Sequence, residues 1–336
     1  MKNFKKNTII LLIISTLFIF FLVKNNFIET VRIIRNANMF WIIIAFIIFY
    51  LYVFLESITM YLIVIEYKKD YKFKETLKLM IMTKFFNGVT PFSSGGQPLQ
   101  IYELKKDGIE TSKGTAIIVE SFLIFQFALI LFGIIAVILN SIFHFFIFTP
   151  TIFYFTIIGF ILNILAFLIV FIISINEKIN KSLNKFILKI IDKLKLKNKE
   201  RKIIKVNNYF EEYYEGFEFL RQNKFLMIKG IVLEILAITL LFIIPIFIFK
   251  ALHVEYNISL LGITTMSAYI FIVGSFIPIP GGTGGTEYAF LEFFKPFISF
   301  SSLTPTLIVW RFVTYYAPVV IGGVVFNFLK KRENKN

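Results

Sequence analysis

Two short polar stretches stand out in an oily chain, "TPFSSGGQP" at 90–98 and "PGGTGGTE" at 280–287. Each carries Pro-x-x-x-Gly-Gly followed by a polar residue. Proline removes a backbone donor and glycine tolerates left-handed backbone, so both stretches should interrupt a helix. An interrupted helix can do chemistry. Its glycines let backbone come close to a ligand. A half-helix N-terminus offers N–H donors and the positive end of a dipole, which suits an anion such as phosphate. The bare pattern also occurs in "PVVIGG" at 318–323. The first two differ by polarity, with Ser93, Ser94 and Gln97 in one and Thr283, Thr286 and Glu287 in the other.

Charged residues inside apolar runs are the second chemical signal, because an intramembrane charge is costly. Arg311 lies about eight residues into the last apolar run, or ~12 Å along a helix. Glu234 lies at a comparable depth in its own run, so the two are within reach of each other in a core about 30 Å thick. Arg311 is expected to hold an anionic group, with a carboxylate balancing it when the site is empty. Glu287 opens a helix after Gly-Gly-Thr and can also serve the helix dipole. Glu120 and Gln126 are accessory polar candidates, and Glu56 is expected to be interfacial. No catalytic set emerges. The chain has no Cys, and its two histidines, His144 and His253, lie far apart. That excludes disulfides and thiolate metal sites, and leaves no basis for a Ser-His-Asp arrangement or a metal site. "GGTGGTE" lacks the Lys-Ser/Thr ending of a phosphate-binding P-loop. No cofactor is expected.

These residues must be positioned within a bilayer. The chain has 336 residues, 57% hydrophobic and only 17% charged, against about a quarter charged in soluble domains. Apolar runs at 8–23, 40–65, 114–140, 151–174, 226–249 and 303–328 approach the roughly 20 residues a spanning helix needs. The first is preceded by Lys2, Lys5 and Lys6 and lacks a small-residue cleavage pattern, so it reads as a retained helix. The net charge of +15 marks loops on the inner membrane face and not direct nucleic-acid binding. The densest basic segment, 176–208, carries apolar residues at helical spacing and is expected to lie as an amphipathic elbow on that face. With the basic tail at 329–336, it places both termini in the cytoplasm of a multi-pass cell-membrane protein.

Six spans satisfy this charge pattern and leave two segments, about 79–109 and 259–300, that must each leave and re-enter one face. Both fit re-entrant hairpins with the polar turns at depth, where non-helical backbone survives only if buried in protein or facing a wet cavity. The expected architecture is all-α and polytopic, a single integral membrane domain over 1–336. It has six spanning helices plus two re-entrant broken-helix hairpins entering from opposite faces, as in an inverted repeat.

"FNGVTPFSSGGQPLQIYELKKDGI" from Phe86 and "PIPGGTGGTEYAF" resemble the signatures of the lysylphosphatidylglycerol synthase transmembrane, or flippase-like, family, over roughly residues 5 to 330. The resemblance implies movement of an aminoacylated phosphatidylglycerol across the inner membrane. It also implies that Thr90, Pro91, Ser93, Ser94, Gly95, Gly96 and Gln97 line a lipid-headgroup cavity with Gly281, Gly282, Thr283, Gly284, Gly285, Thr286 and Glu287. The family's lipid-synthesising activity belongs to a separate soluble domain. The basic elbow is too short to be one, so a transporter is expected ahead of a phosphatidylglycerol lysyltransferase of the kind tied to cationic-peptide resistance. A polyprenyl-phosphate carrier flippase is a further alternative. The implied partners are a membrane phospholipid and a separate lipid-modifying enzyme, and a homo-oligomer is compatible with the pattern.

Overall fold

In hydrocarbon every backbone N–H and C=O must find an internal partner, and helices provide this within one segment. The computed structural model describes residues 27–193 and 199–333, and these are helical apart from connections and one isolated bridge between Tyr256 and Ile298. The expected span at 8–23 lies outside the described residues, as do 194–198 and the end of the basic tail at 334–336.

A short helix α1 (Phe27–Arg35) leads into α2 (Met39–Tyr67), whose N-cap Asn38 accepts from the Phe40 N–H at 3.0 Å. Next come α3 (Phe73–Gly88), a broken turn, and α4 (Gly96–Lys106). Two long helices follow, α5 (Thr111–Phe143) and α6 (Pro150–Ile175), then α7 (Glu177–Lys193) and α8 (Lys199–Gln222). The second of these runs on past residue 208 and packs along α5. The chain returns through α9 (Lys224–Phe242), α10 (Ile244–Ala251) and α11 (Leu260–Ser275). A second broken turn precedes α12 (Gly285–Phe294). Then α13 (Phe300–Arg311) passes through a widened turn at Phe312–Tyr316 into α14 (Ala317–Glu333).

Among the described residues five helical units are long and apolar enough to cross a membrane: α2, α5, α6, α9 with α10, and α13 with α14. They match five of the six expected spans. Of the five, α6 is the least buried, and its Phe153, Tyr154, Ile161 and Ile169 face outward, as an element bathed in lipid should. The legs α3 and α11 have 16 residues each, or about 24 Å at 1.5 Å per residue. Neither spans a core about 30 Å thick. Both hairpins turn inside the helical assembly, and their broken turns touch.

The two halves repeat one plan: a span, a broken hairpin, a span. Counting crossings from α2 to α9 reverses the direction, so the second copy is inverted. Contacts agree. At one end Asn38 N–H donates to the Ala251 carbonyl at 2.7 Å, and further along Gly230 faces Thr59. Thus α2 and α9–α10 form the antiparallel pair at the centre. Each hairpin also packs on the opposite half, α3 against α14 and α11 against α5. Helices α6 to α8 are inserted between the copies.

Candidate functional site

The turn at 90–96 begins with Pro91 at the start of a single tight turn. Phe92 and Ser93 then take left-handed backbone at φ 54° and 52°. The turn at 280–285 begins with Pro280, followed by Gly281 and Gly282 at φ 66° and 64°. The backbone paths therefore correspond over the Pro-x-x opening and then part: Gly95 is right-handed at φ −76°, whereas Gly284 is left-handed at φ 92°. At Gly281 the need for glycine is twofold. Its φ disfavours a side chain, and an added Cβ would meet the Tyr315 ring at 2.2 Å.

The first helical N–H groups after each turn prove to be occupied. Gly95 N–H donates to Thr90 Oγ1 and Gly96 N–H to Asn87 Oδ1, both at 2.8 Å. Gly284 N–H donates to Glu287 Oε2 at 2.6 Å. The expectation of free half-helix donors for a phosphate fails at these three positions. Buried helix ends without partners are too costly to leave open, and nearby side chains close them.

The positive charges stand beside the turns instead. Arg311 donates from Nε to Glu287 Oε1 at 2.6 Å and from Nη2 to the Gly281 carbonyl at 2.8 Å, with its guanidinium 4.8 Å from the Tyr315 ring centroid. Both members of the pair are buried. The carboxylate balancing Arg311 is thus Glu287 and not Glu234, which corrects the depth argument. Equal depth is not contact. Helix α13 seats Arg311 on the second turn, whereas α9 runs along α2 and carries Glu234 elsewhere.

Glu234 faces a second charged cluster. Tyr52 donates to Glu56 Oε1 at 2.6 Å, Lys84 pairs with Glu56 Oε2, and Lys84 also approaches the Tyr52 oxygen at 3.1 Å. Glu234 lies in electrostatic range of Tyr52, Glu56 and Lys84. Glu56 is 9% exposed, so its expected interfacial placement is wrong. Lys84, carried inward on the re-entrant leg α3, needs a buried partner, and Glu56 on α2 is that partner.

A cavity of about 650 Å³ connects the two clusters. Of the sequence candidates, Ser93, Gln97, Gly281, Gly282, Thr286, Arg311, Gln126 and Glu234 line it. Thr90, Pro91, Ser94, Gly95, Gly96, Thr283, Gly284, Gly285 and Glu287 are outside its lining. They build and brace the turns, as when Thr283 Oγ1 donates to the Pro280 carbonyl at 2.8 Å. Glu120 is buried elsewhere, in range of Tyr67 and Tyr213. Gln126 donates to Asn163 Oδ1 at 2.6 Å, and Asn163 donates on to Ser275 at 2.8 Å, tying α5 and α6 to the second hairpin.

Sequence reading missed Tyr52, Lys84, Asn87 and Tyr315. A lone lysine in "LMIMTKFF" was a usable signal, being a charge in a segment expected at depth. Asn87 could have been suspected as a cap. Tyr315 gave none. Its hydroxyl donates to the Gly88 carbonyl at 2.9 Å while its ring covers Gly281, so it joins the two hairpins. Outside the membrane, Tyr71 donates to Asp107 Oδ2 at 2.9 Å and Lys68 to the Asp107 carbonyl at 2.6 Å. These bonds clamp the base of the first hairpin. Burial, and then the Asp107 carboxylate, push the Tyr71 hydroxyl well above its ordinary value, so it stays a neutral donor. Among the described residues no group of three His, Cys, Asp or Glu side chains could hold a metal ion.

This tip-to-tip pairing of broken hairpins meets a sequence match over almost the same range. The family model for the lysylphosphatidylglycerol synthase TM region matches residues 8–322. The chain belongs to that family. Among curated proteins nothing matches. Both motif segments, 90–98 and 280–287, fall inside the family match, as do all the cavity residues named above.

Proposed function

We propose that the protein moves an anionic or aminoacylated phospholipid, such as lysyl-phosphatidylglycerol, between the leaflets of the cell membrane. The observation that carries this reading is the cavity itself. Two broken hairpins from opposite faces meet beside it, and a buried arginine and a part-buried lysine, each held by a carboxylate, line it. A phosphate would exchange with Glu287 at Arg311 or with Glu56 at Lys84. Its volume lies within the range of small-molecule sites, which run to about 300–1,000 Å³. Half-exposed apolar walls such as Phe92 and Leu162 leave the tails a path in lipid while the headgroup travels in the polar interior. By the positive-inside rule the α7–α8 elbow and both termini face the cytoplasm.

The test is reconstitution in liposomes with several labelled lipids, following their exposure in each leaflet. Wild-type protein should equilibrate an anionic or lysylated phosphatidylglycerol faster than a zwitterionic lipid, and an Arg311→Ala, Glu287→Ala double variant should not. Equal rates in the two proteins would remove these residues from the site.

The family description names a synthase, which favours a second reading in which the protein works with a separate enzyme that lysylates phosphatidylglycerol. Product formed from aminoacyl-tRNA and phosphatidylglycerol by this protein alone would reverse the ranking. Selective movement of a polyprenyl phosphate would replace the phospholipid.

A further inference from the structure

From the second charged cluster we infer that Glu234 is a proton site, coupled to the binding of an anionic headgroup at Lys84. The inference deepens the transport reading and rests on it.

The cluster holds two carboxylates, Glu56 and Glu234, and one ammonium, Lys84. Glu56 is fully engaged, with Tyr52 on one oxygen and Lys84 on the other. Glu234 is 4% exposed and lines the cavity, and its Oε2 has no hydrogen-bond partner among the described residues. Thr59 is a side-chain hydrogen-bonding neighbour of its carboxyl group. A bare carboxylate in such surroundings is costlier than a carboxylic acid, and in the empty cavity Lys84 is the cation that offsets it.

The groups facing it from neighbouring elements are few. Helix α2 presents Tyr52 and Glu56, and α3 presents Lys84. On α5, Glu120 is in range of Tyr67 and Tyr213. On α11, Tyr269 is packed among Phe146, Phe148 and Phe293. On α10, Lys250 sits over Trp41. Lys84 is therefore the cation that sets the balance.

When an anionic phosphate enters and draws on Lys84, it adds a negative charge beside two carboxylates. A proton from water then bonds to Glu234 Oε2, and one fewer net charge has to cross the oily layer. On release of the lipid Lys84 returns to Glu56 and the proton leaves. A sodium ion is the poorer candidate, since the adjacent ammonium repels it and no three-carboxylate set is present among the described residues.

The sign follows from linkage: the loaded protein holds one more proton, so loading is favoured at low pH. Purified full-length protein is titrated with a short-chain phosphatidylglycerol between about pH 6 and 9. Wild-type affinity should fall as pH rises, approaching about tenfold per pH unit for one coupled proton. Glu234→Gln, which mimics the protonated state, should give a flat profile. A flat wild-type profile, the same slope in Glu234→Gln, or restoration of high-pH binding by sodium would each overturn the proton site. If the variant does not fold, a pH-indicating dye on wild-type protein decides: about one proton taken up per lipid supports the proposal, and none overturns it. A protein that binds the lipid at no pH would take down the transport reading, and the proton site with it. That outcome shows as a missing binding signal and not as a missing slope.

Discussion

The two broken turns open on one backbone path, part at Gly95 and Gly284, and are held by different means. The second turn, at 280–285, uses glycines at its left-handed positions and is braced by a buried ion pair, with Arg311 bridging Glu287 and the Gly281 carbonyl. The first, at 90–96, puts Phe92 and Ser93 in the same left-handed positions and is braced by neutral caps from Asn87 and Thr90. One turn is relaxed in its dihedrals and depends on charge. The other is strained in its dihedrals and depends on hydrogen bonds. Residues in sparsely populated backbone regions persist only when their surroundings over-determine them. The contrast suggests that the first turn is the one able to rearrange and the second the one that stays.

Variants can break or sharpen this contrast. The largest effect should come from Arg311→Ala, which leaves Glu287 buried without its cation. Removing one partner of a buried pair costs about 3–5 kcal/mol, readable as lost thermal stability in detergent. Glu287→Ala in the same protein should recover part of that loss, and a single variant as stable as wild type would refute the brace.

Next in size, Gly281→Ala should destabilise by at least about 1–2 kcal/mol from backbone handedness alone, with the Tyr315 clash added. At the matching position of the other turn the sign reverses. Phe92→Gly should relieve about 1 kcal/mol of handedness strain, and a loss of stability there would show that its left-handed backbone is not strained.

Removing the first turn's cap with Asn87→Ala should cost about 1 kcal/mol, in the range for lost helix caps. It should also raise hydrogen exchange at Gly96 without altering the second turn. The smallest effect belongs to Tyr315→Phe, which loses one hydrogen bond worth about 0.5–1.5 kcal/mol and keeps the ring over Gly281. Its use lies in coupling. If Tyr315 ties the hairpins together, the Asn87→Ala and Tyr315→Phe losses should fail to add in a double-variant cycle.

Much of this architecture could be read from residues in order. Long apolar runs required helices, because hydrocarbon offers backbone groups no other partner. Pro91 and Pro280, with the glycine pairs after them, placed both breaks, and their polarity marked them as turned toward something wet. The partners were less legible. Glu234 and Arg311 are close in depth but belong to different clusters. Glu56 looked like an interfacial residue because nothing local shows that Lys84 is folded back against it.

What the amino-acid order determined by itself is therefore local: which segments are helical, where they break, and which side chains are too polar for their surroundings. Each follows from propensity, hydropathy and dihedral freedom within a few residues. The tertiary structure alone decided that Glu287 and not Glu234 neutralises Arg311, that Glu56 is buried against Lys84, and that Tyr315 links turns far apart in the chain. Charge pairing in a medium of low dielectric depends on ångström distances between helices, and those are set by how the two inverted halves pack.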